Sequence, residues 1–308
     1  MNVNYARARA KLKALIDSDD LLIREMKLGE VLCGLIYLDG LSDKELLERD
    51  IIRPLTNLKN FSPTKDYLQR SVDYGEDIET ISAEEDAAQV IAEGDIVFVA
   101  DGAEEFFVIS LKKYQHRAVQ EPPTEIVLKG PREGFIEDIK VNLSMLRRKL
   151  KTPKLRVKFF KVGRYSNTAV SVVYVDGVAD MDNVEEVCRK ISHIDIDGII
   201  GAAYIERYIE QNSFSLFNQA GVTEKPDIVM ARILEGRVAI FIDGSPVVTT
   251  VPYVILKVFR IATTIISAIV VPQCFVLCAF AVRFFRCYYP ACMLLFRSTT
   301  IICCRLSF

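Results

Sequence analysis

Two kinds of apolar pattern alternate along the chain. Short runs with β character end on turn residues, and longer stretches place apolar side chains every three or four positions, as one face of a helix does. "LLIREMKL" and "VLCGLIYL" are runs of the first kind, parted by Gly29-Glu30 and closed by Asp39-Gly40, which is hairpin punctuation. "LRVKFFKV" and "TAVSVVYV" repeat the plan around a longer turn from Gly163 to Asn167 and close on Asp176-Gly177. A helix pattern precedes each hairpin. Over residues 135–150 it is carried by Ile136, Ile139, Leu143, Leu146 and Leu150, and its weaker counterpart is "YARARAKLKALI" at 5–16. A second helix pattern follows each hairpin: "SDKELLERDIIRPL", where Ser42 and Glu45 spell a capping box, and "DMDNVEEVCRKI".

A third helix pattern then leads into a phrase written twice. "IAEGDIVFVADG" at 91–102 and "ILEGRVAIFIDG" at 233–244 share five of twelve positions at a constant offset of 142. Gly94 and Gly236 suit the left-handed residue just past a helix end, an apolar strand follows, and Asp-Gly turns the chain into "FFVISL" or "PVVTTVP". The order helix, strand, strand, helix, helix, strand, strand therefore occurs twice. A period of about 140 residues exceeds the roughly 20 to 50 of solenoid repeats and predicts tandem duplication of a domain. The expected fold class is α/β (α+β), two related subdomains each with a small mixed β-sheet packed by helices. Residues 1–118 form the first subdomain, 119–256 the second, and 257–308 a hydrophobic, cysteine-rich tail. Pro122 and Pro123 mark the linker, and residues 56–82, dense in polar groups, carry no assignable pattern beyond a short helix.

Charge divides the same chain differently. Net charge is -2, yet Asp243 is the last acidic residue, so the tail carries +6 and the remainder -8. A mildly acidic body gives nucleic acid no electrostatic reason to bind. Six of the eight cysteines lie in the last 35 residues, which leaves Cys33 and Cys188 in the body. The N-terminus lacks the apolar core of a secretory signal, so the body is expected in a reducing cytosol.

Candidate chemistry is sparse. No GxGxxG or GxxxxGK[ST] fingerprint, GxSxG elbow or CxxC pair occurs, and His116 and His193 have no cysteine at zinc-finger spacing. Asp195 and Asp197 alternate as they would at the end of a strand, but two carboxylates are too few for a hard cation. Neither catalysis nor a cofactor or metal is expected. The basic cluster Arg147, Arg148, Lys149, Lys151 and Lys154 complements the dipole at the end of the 135–150 helix, or else faces a membrane surface or partner subunit. From Ile261 to Val282 no charge occurs, and about 22 residues of helix would span roughly 33 Å, so this is a candidate transmembrane helix.

The run "VQEPPTEIVLKGPREGFIEDIKVNLSMLRRKLKTP", with "VGRYSNTAVSVVYVDGVAD", "DIDGII" and "EGRVAIFIDGSPVVTTVP", resembles the GerA family of bacterial spore germination proteins, the A subunits of germinant receptors. A sporulation-stage paralogue shares the outline, but Pro122-Pro123 and Glu133-Gly134-Phe135 suit the receptor branch better. The resemblance implies a non-enzymatic receptor subunit of the spore inner membrane, with residues 1–256 facing the cytoplasm or spore core. It also implies partnership with a transporter-like B subunit and a lipoprotein C subunit, homo-oligomerisation, and a part in an ion-conducting complex. Within the resemblance the candidate interface is Glu121, Pro122, Pro123, Thr124, Glu125, Gly130, Pro131, Arg132, Glu133, Gly134 and Phe135. After about residue 256 residue usage departs from the family, which suggests truncation or frameshift. The competing expectations are a soluble α/β ligand-binding or enzymatic module with an accidental tail, and a non-functional receptor fragment.

Overall fold

A computed structural model describes residues 3–58, 61–72, 78–112, 133–199, 201–209 and 220–252. The first hairpin is β1 (Leu21–Leu28) with β2 (Val31–Leu38), entered from α1 (Tyr5–Ile16). A broken helical segment follows: α2 (Lys44–Leu46), a π-helical turn (Leu47–Ile52), α3 (Arg53–Thr56) and α4 (Lys65–Ser71). Then come β3 (Glu79–Ile81), α5 (Glu84–Ala92), β4 (Ile96–Ala100) and β5 (Phe106–Ile109). The second half runs α6 (Ile139–Lys149), β6 (Leu155–Val162), β7 (Thr168–Val175), α7 (Met181–Ser192) and α8 (Ala202–Ile209). It closes with β8 (Gly221–Thr223), α9 (Pro226–Leu234), β9 (Val238–Ile242) and β10 (Val248–Val251).

The two sheets share one strand order, β1-β2-β4-β5-β3 in the first and β6-β7-β9-β10-β8 in the second. The fold is thus α+β with two like subdomains, both within the compact unit Met1–Tyr253. Among the described residues every strand pairing is antiparallel, so the sheets are not mixed as the alternating pattern had suggested. The physical reason lies in β3 and β8. Each is a short strand laid antiparallel on the outer edge of β5 or β10, so the helices between hairpin and edge strand cross over without a parallel neighbour.

Both faces of each sheet are covered, which explains the near-continuous apolar strands. In β4, Ile96, Phe98 and Ala100 enter one core with Leu47, Ile51, Leu55 and Leu68, while Val97 and Val99 enter another with α1 and α5. In β9, Val238, Ile240 and Ile242 pack against α7 and α8, while Ala239 and Phe241 pack against α6 and α9. Side chains two apart share a face of the sheet, so the offset of 142 carries each core from one copy to the other.

Gly94 and Gly236 have φ of +99° and +87°, directly after the helix C-caps Glu93 and Glu235, as the pattern predicted. Three local readings need correction. The cap of α2 is Asp43, whose carboxylate accepts from the Glu45 and Leu46 amides; Ser42 instead donates to the Gly94 carbonyl. The helix expected from residue 135 begins at Ile139 behind the Asp138 cap. Asp195 and Asp197 lie in no strand: the Asp195 carboxylate is held by both nitrogen arms of Arg164, and the Asp197 carbonyl accepts from the Tyr165 amide. The proline linker and residues 257–308, including the candidate span 261–282, lie outside the described residues. Among the described residues no helix is long and apolar enough to cross a membrane.

Candidate functional site: the seam between the repeats

The phrase written twice ties the last hairpin of each repeat to its first helix. The Asp101 carboxylate accepts from the Tyr5 amide at 3.1 Å, and that of Asp243 from the Ile139 amide at 3.3 Å. The next amide in each turn completes a clamp: Gly102 donates to the Val3 carbonyl at 3.0 Å, with the Val3 amide donating to the Ala103 carbonyl at 2.7 Å, and Gly244 donates to the Glu137 carbonyl at 2.8 Å. An acid beside exposed helix amides satisfies donors that the helix cannot and complements its dipole. The Asp-Gly pairs of this phrase are therefore helix anchors as well as turns.

Of the candidate interface, Glu121, Pro122, Pro123, Thr124, Glu125, Gly130, Pro131 and Arg132 lie outside the described residues. Glu133, Gly134 and Phe135 are described. Phe135 is buried edge-on against Phe241, with ring centroids 5.3 Å apart, and its amide donates to the Glu224 carbonyl. Glu133 pairs with Lys149 at 3.1 Å, and Asp227 approaches the same ammonium at 2.8 Å. Burial opposes the charge on Lys149, but hydrogen bonds to Asp227 and Glu133 prevail and raise its pKa above the ordinary lysine value. Asn142 fastens the segment from inside the helix: its side chain accepts from the Ile136 amide and donates to the Ile136 carbonyl. Its signal in the sequence was an amide on the apolar face of 135–150.

The basic cluster separates into different jobs. Arg147, 2% exposed, leaves α6 and enters the first repeat. Its Nε and Nη2 donate to the two oxygens of Asp20 at 2.9 and 2.8 Å, and Nη2 also reaches Ser18 Oγ at 3.0 Å. This bidentate geometry is the strong form of an arginine–carboxylate pair. The acidic connection 17–20 also covers the free edge of β6. The Asp19 amide donates to the Val157 carbonyl, the Val157 amide donates to Ser18 Oγ, and the Phe159 amide donates to the Asp19 carboxylate. Arg156 adds a bond to the Leu15 carbonyl at 3.0 Å, and Gln89 donates to the Lys151 carbonyl at 3.0 Å. At the other end of α6, Asp39 receives Lys140 at 3.1 Å and Lys44 at 2.6 Å. Burial alone would raise the Asp39 pKa, but hydrogen bonds from the two lysines outweigh it and lower the value. The buried Arg147–Asp20 pair was missed because a run of five cations at a helix end reads as a solvated face.

The described residues contain no group of three or more His, Cys, Asp or Glu side chains placed to hold a metal ion. What the site does chemically is hold two like domains in a fixed relation through buried charge and a capped sheet edge.

The chain, with its paired α+β subdomains joined by a polar seam, belongs to the GerA family: the family described as Bacillus/Clostridium GerA spore germination protein matches residues 9–302. Among relatives, it is 34% identical over 257 residues to spore germination protein KA of Bacillus subtilis (strain 168), covering 80% of this chain and 46% of that protein. It is also 34% identical over 239 residues to stage V sporulation protein AF of the same organism, covering 76% of this chain and 48% of that protein. Among solved structures, the crystal structure of the N-terminal domain of the A subunit of the Bacillus megaterium spore germinant receptor GerK3 superposes with a TM-score of 0.64 at 25% identity. That match covers 82% of this chain and 97% of the GerK3 domain. The chain spans about half the length of the curated relatives it matches.

Proposed function

We propose that this chain acts as an A subunit of a nutrient germinant receptor, without chemistry of its own, in the inner membrane of the spore. On this reading residues 1–256 face the cytoplasm or spore core. They assemble with a transporter-like B subunit, a lipoprotein C subunit and further copies of the A subunit, in a complex whose ion conduction triggers germination. The observation that carries the reading is the superposition on the N-terminal domain of a germinant receptor A subunit, which accounts for 97% of that domain. Glu121 to Glu125 together with Gly130 to Phe135 form the proposed contact with neighbouring subunits, and Phe135 at its end packs on Phe241.

The test is membrane fractionation of spores producing the tagged chain, followed by co-purification. Recovery with membranes together with B and C subunits is expected. A chain found wholly in the soluble fraction, with neither partner, would overturn the proposal and favour a free binding module. Charge reversal at Arg132 should then weaken subunit recovery while far-ultraviolet circular dichroism stays unchanged. Loss of folding in that variant would assign the segment to internal packing instead.

A further inference from the structure

The outer edges of the two sheets are finished differently. β1 and β6 stand at the same end of their strand orders, and Ile23 faces Ile36 across the first hairpin as Val157 faces Val173 across the second. In a strand paired on one side only, alternate backbone groups point away from the sheet. On β6 the outward amides of Val157 and Phe159 are taken by Ser18 and Asp19. On β1 the amides of Ile23 and Glu25 hold the same register and point outward, and no group among the described residues bonds to them. Burial follows this difference. Leu155 and Val157 are buried, whereas Leu21 and Ile23, at the same places on β1, are only half-buried. An open edge of eight residues is a template for a further strand.

Charge selects the kind of strand. Leu21, Ile23, Glu25 and Lys27 alternate onto the face of β1 that meets α1. Glu25 is paired with Arg9 of α1 at 2.8 Å, which leaves Lys13 and Lys27 exposed and without an ion pair among the described residues. Lys13 holds the position from which Arg147 binds Asp20 in the seam. The segment that fills this place on β6 is the acidic connection 17–20. Its counterpart in the second repeat carries Lys151 and Lys154, so another copy of this chain has no acidic connection left to offer.

We infer that the outer edge of β1 is a docking surface for an extended acidic segment of a partner protein. The segment adds to the sheet through the Ile23 and Glu25 amides and sets its carboxylates against Lys13 and Lys27. Main-chain bonds along an edge hold an extended peptide of any sequence, and the flanking charges choose among peptides.

The experiment uses the unit Met1–Tyr253, which contains all four apolar cores and whose counterpart in GerK3 was solved as a domain. The probe is a labelled peptide of residues 14–22, ALIDSDDLL, the sequence that already covers β6. Its counterpart of residues 148–156, RKLKTPKLR, serves as the basic control. Fluorescence anisotropy should show saturable binding of the acidic peptide and none of the basic one. Hydrogen exchange at the Ile23 and Glu25 amides should slow on binding, with Val157 and Phe159 unchanged. The double variant Lys13→Glu, Lys27→Glu should bind the acidic peptide at least about tenfold more weakly, with a melting temperature within about 2 °C of the parent. A single Lys27→Glu variant keeps the test open if the double variant fails to fold, and it should weaken binding about threefold. Absence of saturable binding, protection at β6 in place of β1, or undiminished binding in the folded variants would overturn the proposal. Preference for the basic peptide would also overturn it and assign the edge to another copy of this chain.

Discussion

The same corner of the fold meets opposite surroundings in the two repeats. In the first repeat the turn after the hairpin is covered: Leu41 is 2% exposed, and a Cβ added at Gly40 would lie 3.4 Å from the Lys140 carbonyl on α6. In the second repeat Val178, the counterpart of Leu41, is 48% exposed, and a Cβ at Gly177 would touch nothing within 4 Å. The helix that opens each repeat shows the reverse. Arg147 on α6 is buried against Asp20, while Lys13, its counterpart on α1, is exposed. Duplication thus made two copies of every surface, and the seam uses one copy of each. The difference teaches that anchoring inside a repeat was retained by both, whereas the contact between them diverged.

The largest test of that contrast is Asp20→Ala, which leaves Arg147 buried without its carboxylate and should cost about 3–5 kcal/mol in denaturant unfolding. Its counterpart Lys154→Ala, at an exposed position, should stay within about 0.5 kcal/mol. Similar losses at both positions would break the comparison. Next come the helix-ending glycines. Alanine at either Gly94 or Gly236 is strained by about 1–2 kcal/mol because φ is positive. The loss should be greater at Gly236, where the new Cβ would sit 2.8 Å from the Val178 carbonyl oxygen, against 3.4 Å from a yielding Leu41 side chain at Gly94.

A smaller and symmetrical effect is expected at the helix anchors. Asp101→Ala and Asp243→Ala should each cost about 1 kcal/mol, the ordinary loss of a capping acceptor, and the match between them would sharpen the view that this link is common to both repeats. The smallest effect is on acid stability. The pKa of Asp39 is lowered in the fold, so its contribution is present above the unfolded value of about 3.9 and is lost as pH falls through the lower folded value. Asp39→Asn should therefore reduce stability by about 0.5 kcal/mol at neutral pH and converge on the parent in acid, as followed by thermal unfolding across pH 2–7.

Much of the architecture was legible in the sequence because periodicity reports burial. The eight longer strands were marked by apolar runs between turn residues, and α1, α5, α6, α7 and α9 by spacing or by a terminal glycine. The edge strands β3 and β8 were not, since three residues give too short a run to show a period. The π-helical turn at Leu47–Ile52 was also hidden, because Leu47, Ile51 and Ile52 satisfy an ordinary helical pattern equally well. Of the site, the Asp-Gly anchors were visible as turns but not as caps, since the capped helix lies 96 residues away in the first repeat. Arg147 was hidden for the same kind of reason. Its partner is 127 positions distant, and nothing near it in the chain announces that one cation of five is enclosed.

The acidic connection 17–20, "DSDD", corresponds to the basic "KTPK" at 151–154. A third unit added to the array through the same joint would set Lys154 against a lysine at the place of Arg147, since Lys13 holds that place in the first unit. Two ammonium groups brought together there would repel, so the same joint is electrostatically unfavourable between molecules. The charge divergence between the repeats thus favours this joint within one chain over the same joint between chains.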